Sequence, residues 1–131
     1  MQFVRRPVGA SEDSLAHMEA SYSVKLPAAL RELWLDSDGP ILWFGFKELQ
    51  FLPLAAVLED AYSLREFMPG ALPLCLDGMG NLCVARIESG RIEGYYVAAC
   101  GNLGWDESGR IADTFENFLR DELAPDARLD V

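Results

Sequence analysis

Side chains that could carry out catalysis or hold a metal ion are few in this sequence and far apart along it. His17 is the sole histidine, and Cys75, Cys83 and Cys100 form no C-x-x-C pair. A Ser-His-Asp or Cys-His arrangement would require His17 to lie beside a nucleophile, and a surface histidine is the simpler interpretation. The cysteines stand in apolar stretches, which is typical of reduced, buried thiols. We therefore predict no catalytic residue, no metal site and no cofactor.

The carboxylates are numerous, but their spacing matches neither a calcium loop nor a zinc site. The pairs considered as ligands are Asp36 with Asp38 and Asp106 with Glu107. Gly78-Met79-Gly80 lacks the frame of a phosphate-binding loop, and the preceding Asp77 would repel phosphate. A turn explains this segment. A carboxylate pair whose pKa is raised by burial stays open as an alternative, because burial is invisible in a sequence.

The charge balance of the chain limits the classes of partner. Asp and Glu number 21 against 11 Lys and Arg, which gives a net charge of −10. Such a field repels nucleic acid and anionic membranes and attracts a basic protein. No window approaches the ~20 uninterrupted apolar residues of a membrane span, and no apolar segment follows Arg5 and Arg6 as it would in a signal peptide. We expect a cytoplasmic protein that binds another protein and is not an enzyme.

The candidate binding residues are aromatic side chains and the acids that could surround them. Trp105 is followed by Asp106 and Glu107 in a polar loop, a grouping suited to an arginine- or lysine-bearing surface through cation–π and charge contacts. A loop tryptophan can also fold back over the core, and that alternative stays open. Trp43 is the second aromatic candidate, because Trp43, Phe44 and Phe46 put three aromatic residues within four positions. Alternation along a strand sends Phe44 and Phe46 to one face and Trp43 to the other, so most of them are expected in the core, and an exposed anchor among them stays open as the alternative. The acids that could extend the surface are Asp36, Asp38, Asp77 and Glu93.

Four segments have the pattern of helices. Ser11 followed by two acids is a typical helix start, and Pro27 suits the first turn of the next helix because its missing N–H would have no partner there. Asp113 with Glu116 resembles a capping box. The predicted helices run from about Glu12 to Ser21, from Pro27 to the Asp38-Gly39-Pro40 stop, from Ala55 to Phe67, and from Asp113 onward.

Extended segments separated by turn residues predict an antiparallel meander. The expected strands are residues 41–44, 49–54, 72–76, 82–87 and 92–99, with a strand-like Phe3-Val4 before the first helix and a loop from Gly101 to Arg110. The connections are too short for the crossover helix of parallel pairing. Helices packed on such a sheet make an α+β fold. No linker or repeat divides the chain, so we predict one domain over residues 1–131 with its core at about residues 11–124.

Three patches, in the same order, resemble the SUKH superfamily. The first runs from Glu19 through Leu26-Pro27, Leu30 and Leu33 to Asp38-Gly39, like an "E…LP…L…L…(N/D)G" opening. The second joins Leu72-Pro73-Leu74 to Asp77-Gly78-Met79-Gly80-Asn81, like an "(I/L)P…DG-G(N/D)" hairpin, and the third runs from Ile111 to Leu119, like an "IA-SF-FL" helix. We expect these residues to determine the fold, with positive φ or a tight backbone approach at Gly39, Gly78 and Gly80 and with Phe115 and Phe118 in the core.

The resemblance implies the roles of that superfamily, which includes yeast cell-wall regulators and bacterial toxin-immunity proteins. Together with the net charge of −10, it favours an immunity protein that neutralises a basic toxin by covering its active surface. A regulatory or scaffolding module of the same fold is the second hypothesis. A small hydrolase or ligand-binding protein is the third, and it requires a deep pocket lined by carboxylates.

Overall fold

Seven antiparallel strands follow one another across one sheet in chain order, in a computed structural model that describes residues 2–44 and 47–121. The strands are β1 (Gln2–Arg5), β2 (Ile41–Trp43), β3 (Glu48–Phe51), β4 (Ala71–Leu76), β5 (Asn81–Glu88), β6 (Arg91–Ala99) and β7 (Gly109–Ala112). The helices are α1 (Glu12–Tyr22), α2 (Ala28–Asp36), α3 (Leu54–Leu58), α4 (Leu64–Phe67) and α5 (Phe115–Asp121), with a 3-10 turn at Trp105–Glu107. The predicted α+β fold is confirmed.

The sheet is covered on both faces, which explains the nearly continuous apolar sequence of its central strands. Along β5, Cys83 and Ala85 belong to one buried cluster, whereas Leu82 and Val84 belong to another. Because successive side chains of a strand point to opposite faces, the two clusters lie on opposite sides of the sheet. The inner face packs against α1, α2, α3 and α5, and the outer face packs against α4 and the loop before β7.

The first family-like patch is held together by the Glu19 side chain of α1. Its carboxylate accepts a hydrogen bond from the Leu26 backbone N–H at 3.0 Å and another from Arg31 at 3.3 Å. These contacts fix the Leu26-Pro27 segment against α1 and set the direction in which α2 begins. At the start of α1, the Ser11 hydroxyl accepts from the Ser14 N–H at 3.0 Å, as predicted for a helix cap.

The predicted third helix is wrong, because the segment forms two short helices. Between α3 and α4, Asp60 and Ser63 have positive φ values of 52° and 55°, which a continuous right-handed helix cannot contain. The Asp60 carboxylate also accepts a hydrogen bond from the Leu64 N–H at 2.8 Å, so it serves the start of α4. This break turns α4 onto the outer face of the sheet, where Leu64 and Met68 are buried.

Two further expectations near the C-terminal helix are corrected. Gly109 and Arg110, predicted as the end of a loop, begin strand β7, and Ile111 and Ala112, which stood in the helix-like patch, end it, because all four residues lie in the strand that pairs with β6. Thr114, and not Asp113, caps α5, since its hydroxyl accepts from the Asn117 N–H at 3.1 Å. Asp113 is drawn away by Arg110. Phe115 and Phe118 are buried, as predicted.

Other details of the described residues agree with the sequence. Gly39, Gly78 and Gly80 have positive φ. Cys75 and Cys83 are buried, and Cys100 is partly buried. Among residues 2–44 and 47–121, no helix has the length and apolar character needed to cross a bilayer.

Candidate functional site

The outer face of β5, β6 and β7 carries a row of two aromatic rings with an arginine at each end. The Arg86 guanidinium lies over the Trp105 indole, 4.5 Å from the ring centroid. The rings of Trp105 and Tyr96 meet edge to face with their centroids 5.1 Å apart, and the Arg110 guanidinium lies over the Tyr96 ring, 5.5 Å from its centroid. Each contact joins a positive or edge-on group to the negative face of a ring, which is a favourable geometry.

Trp105 is held from both ends, which settles the two alternatives left open by its sequence. Its indole N–H donates to the Pro69 carbonyl at 2.8 Å, and its ring packs on the outer cluster. The ring is nevertheless only partly buried, and Asp106 and Glu107 beside it are exposed. Trp105 therefore both covers the core and remains part of the surface. Its cation–π partner is already supplied within the chain, by Arg86.

Arg110 organises the acids at the other end of the row. It donates to the Glu93 carboxylate, to the Asp113 carboxylate at 2.6 Å and to the Tyr96 hydroxyl at 2.8 Å. Gly94 leaves the space that the guanidinium occupies, since a Cβ at that position would lie 2.6 Å from Arg110 Nη1. Hydrogen bonds from Arg110 to Asp113 and Glu93 raise the pKa of the guanidinium, so its charge is fixed.

Glu93 makes the stability of the fold depend on pH. Burial alone would raise the pKa of Glu93, but hydrogen bonds from Arg110 and Tyr96 outweigh it and lower the pKa below its ordinary 4.5. The contacts of the charged carboxylate therefore stabilise the fold at neutral pH, and this contribution is lost as pH falls through the lowered pKa. Because the side chain is 31% exposed, we expect an effect below about 1 kcal/mol.

We expect a Glu93→Gln variant to be less stable than the wild type at neutral pH and equally stable in acid. Denaturant unfolding of both proteins across the range from neutral pH to below 4.5 measures the difference. A Tyr96→Phe variant removes one donor to the carboxylate. It should lose less stability than Glu93→Gln at neutral pH, and this loss should also disappear in acid. A stability difference that is independent of pH would contradict this account.

We name this surface the outer-face patch. It consists of Arg86, Glu88, Glu93, Tyr96, Trp105, Asp106, Glu107, Arg110 and Asp113. Its five carboxylates exceed its two guanidiniums, so the patch is acidic despite its arginines. Four of the predicted binding residues meet here: Glu93, Trp105, Asp106 and Glu107.

The other predicted acids lie elsewhere and have structural contacts. Asp36, at the end of α2, is exposed and forms a two-point ion pair with Arg6 at 2.6 Å and 3.1 Å. The Asp38 carboxylate accepts a hydrogen bond from the Leu54 N–H at 2.8 Å and so caps α3. Neither residue extends the outer-face patch, contrary to expectation.

Asp77 is buried and cannot contact a partner, which corrects its inclusion among the surface acids. The residue is 1% exposed, and its carboxylate accepts hydrogen bonds from the Met79 N–H at 2.8 Å and from the Asn81 side-chain amide at 2.8 Å. The buried Lys47 ammonium lies 3.8 Å from the same carboxylate. Asp77 therefore joins the β4–β5 turn to the residue that precedes β3.

Trp43 is 38% exposed at the end of β2, away from the outer-face patch. Phe44 packs against the inner cluster, in agreement with the alternation predicted for this strand. Phe46 lies outside the described residues. Trp43 therefore remains a candidate for a separate contact surface, without acids from the predicted set beside it.

Five members of the patch were not among the predicted binding residues: Arg86, Glu88, Tyr96, Arg110 and Asp113. A signal existed for two of them. Arg86 interrupts an apolar strand, and the Tyr95-Tyr96 pair must place one ring on each face of β6. Arg110 had no such signal, because its role depends on pairing with Tyr96 across β6 and β7.

His17 is exposed on α1, as expected of a surface histidine. In the part of the chain that the structure describes, no group of three His, Cys, Asp or Glu side chains is placed to hold a metal ion.

Comparison with known proteins identifies the family. No curated protein matches the chain significantly. The model of the SMI1 / KNR4 family (SUKH-1) matches residues 9–121, which include α1, the whole meander from β2 to β7, and α5. The match covers all three patches that resembled the superfamily. The chain is therefore a member of the SMI1 / KNR4 family (SUKH-1).

Proposed function

We propose that this protein is an immunity-type binding module that neutralises a basic bacterial toxin in the cytoplasm through its outer-face patch. The observation that carries the proposal is the convergence of Trp105, Asp106, Glu107 and Glu93 on one acidic, aromatic surface. Family membership supports it, because the SUKH group includes toxin-immunity proteins as well as regulators. Inhibition would follow from covering the toxin's active surface, without chemistry by this chain.

The patch has the composition of a binding hot spot. A partly exposed tryptophan provides a large, rigid contact, and its neighbours hold it in place before a partner arrives. Asp106 and Glu107 offer exposed carboxylates to arginines or lysines of the partner. Arg86 and Arg110 are engaged by carboxylates of the same surface, so they do not reverse its sign.

The charge of the whole chain acts at longer range. A net charge of −10 attracts a basic partner before contact and repels nucleic acid, the substrate of a nuclease toxin. Such steering raises the association rate more than it slows dissociation, and it weakens as salt is added. A toxin complex should therefore form fastest at low ionic strength.

The test is to produce this chain together with the toxin encoded by its genomic neighbour. We expect the chain to restore growth of toxin-producing cells and to bind the purified toxin with a salt-dependent association rate. A catalytically inactive toxin that binds equally well would show that the chain recognises the toxin's surface and not its reaction product. Failure to protect cells, with no complex at any ionic strength, would overturn the proposal.

A further inference from the structure

A cavity of about 520 Å³ opens beside the inner face of β6, between the start of α2 and the start of α5. Its apolar lining includes Leu26, Ile92, Tyr95 and Phe115. Charged residues surround this lining, with Lys25 and Arg91 among the cations and Asp113 and Glu116 among the acids. A cavity of this size and composition is typical of a site for a small organic molecule.

One side of the cavity favours a negative charge. Lys25 and Arg91 are neighbours in a β-bridge, and the Lys25 N–H donates to the Gly90 carbonyl at 2.8 Å. Among the salt bridges of the described residues, neither cation takes part in one. Two adjacent cations repel each other, so an anion between them would be stabilised.

The start of α2 adds backbone donors at the same place. Pro27 precedes the helix without a side-chain hydrogen bond to its first turn, and that turn contains no acid. The first N–H groups of a helix have no partner within it and carry a partial positive charge. Pro27 and Ala28 both line the cavity, so these donors stand at its wall.

Tyr95 supplies a buried polar group among the apolar residues. The side chain is 1% exposed, its ring packs against Phe115 and Phe118, and it lines the cavity. Among the hydrogen bonds of the described residues, none is formed by the Tyr95 hydroxyl. Burial and the negative charge of Glu116 raise the pKa of Tyr95, so the hydroxyl keeps its proton and can donate it.

We propose that this cavity binds a small organic acid. Its carboxylate is held by Lys25, Arg91 and the first N–H groups of α2, and its apolar body lies against Ile92 and Phe115. The hydroxyl of Tyr95, which lines the same cavity, donates to an oxygen of this carboxylate. Asp113 and Glu116 disfavour a more highly charged anion such as phosphate, so the ligand carries one negative charge.

The site is distinct in function from the outer-face patch, although Asp113 borders both. Tyr95 and Tyr96 are consecutive residues of β6: Tyr95 lines the cavity, whereas the Tyr96 hydroxyl donates to Glu93 on the outer face. Binding to the cavity can therefore be measured on the protein alone. Its outcome does not depend on whether a toxin is the partner.

The experiment titrates the full chain with phenylbutyrate and records the backbone amide resonances by NMR. The uncharged phenylbutyramide, which has the same apolar body, is the control compound. We expect phenylbutyrate to shift the resonances of Ala28, Ala29 and Tyr95, and to bind at least about tenfold more tightly than the amide. Equal binding of the two compounds, or no shift at these residues, would overturn the proposal. So would an equal response to inorganic phosphate alone.

Variants test the residues assigned to the ligand. A Lys25→Ser, Arg91→Ser double variant should lose at least about tenfold in affinity for phenylbutyrate, and Tyr95→Phe should lose severalfold while keeping its packed ring. Arg5→Ser, an exposed arginine on β1 at the far side of the sheet, is the matched control and should bind like the wild type. Unchanged affinity in the folded double variant would contradict the assignment.

Discussion

An Asp77→Ala variant is expected to lose about 3 kcal/mol of its free energy of unfolding, because the buried carboxylate has two roles at once. It accepts the hydrogen bonds that close the β4–β5 turn, and it lies 3.8 Å from the buried Lys47 ammonium. Removing it leaves the backbone donors of the turn without their acceptor and an ammonium without the adjacent negative charge. Denaturant unfolding measures the loss.

Two variants make the result specific to Asp77. Asp77→Asn keeps the shape and one oxygen of the side chain, so it should lose less stability than Asp77→Ala. The loss of unfolding free energy that remains in Asp77→Asn measures the effect of removing the negative charge. Asp106→Ala removes an exposed acid and should change stability by less than about 0.5 kcal/mol. Wild-type stability in Asp77→Ala would show that the turn and the Lys47 contact do not depend on this carboxylate.

A Trp105→Ala variant is expected to weaken the complex with the toxin by about 2 kcal/mol or more, which is roughly thirtyfold in Kd. The substitution removes the central aromatic contact of the outer-face patch and leaves Arg86 and Tyr96 without the ring that they pack on. Calorimetric titration of the variant with the purified toxin measures the change. The dissociation rate should carry most of it.

The chain contains a matched control for this substitution. Trp43→Ala removes a tryptophan that is 38% exposed on β2, outside the patch, and should leave the affinity for the toxin unchanged. Both variants need an unfolding measurement, since Trp105 also packs on the outer cluster. If Trp43→Ala weakened binding while a folded Trp105→Ala did not, the toxin would bind at the β2 end of the sheet and the proposed surface would be wrong.

The local signals in the sequence were reliable where one residue controls the backbone. Ser11 capped the first helix, Pro27 stood at the entry to the second, and Gly78 took positive φ in the hairpin. Each of these effects acts within a few residues, so it depends little on distant contacts. The predicted third helix failed for a related reason. Its apolar spacing continues through residues 55–67, but the Asp60 side chain stabilises a new helix start in the middle.

The candidate site was predictable only in part. Trp105, Asp106 and Glu107 adjoin in the sequence, so their grouping needed no tertiary structure. Glu93 joined them because Tyr96 and Arg110 bridge the distance across β6 and β7. Strand register decides which side chains face each other, and nothing local to Glu93 or Arg110 reveals that register.

The sequence by itself determined that this is an acidic α+β domain of the SUKH type, because composition, turn residues and apolar spacing are properties of the chain alone. Only the tertiary structure decided which acids are available to a partner. The sequence did not distinguish Asp36, Asp38 and Asp77 from Glu93 as candidate surface acids. In the structure Asp36 forms a surface ion pair, Asp38 caps a helix, and Asp77 is buried beside a lysine. Burial and hydrogen bonding depend on residues brought together from distant parts of the chain. The composition of the outer-face patch is therefore a product of the fold.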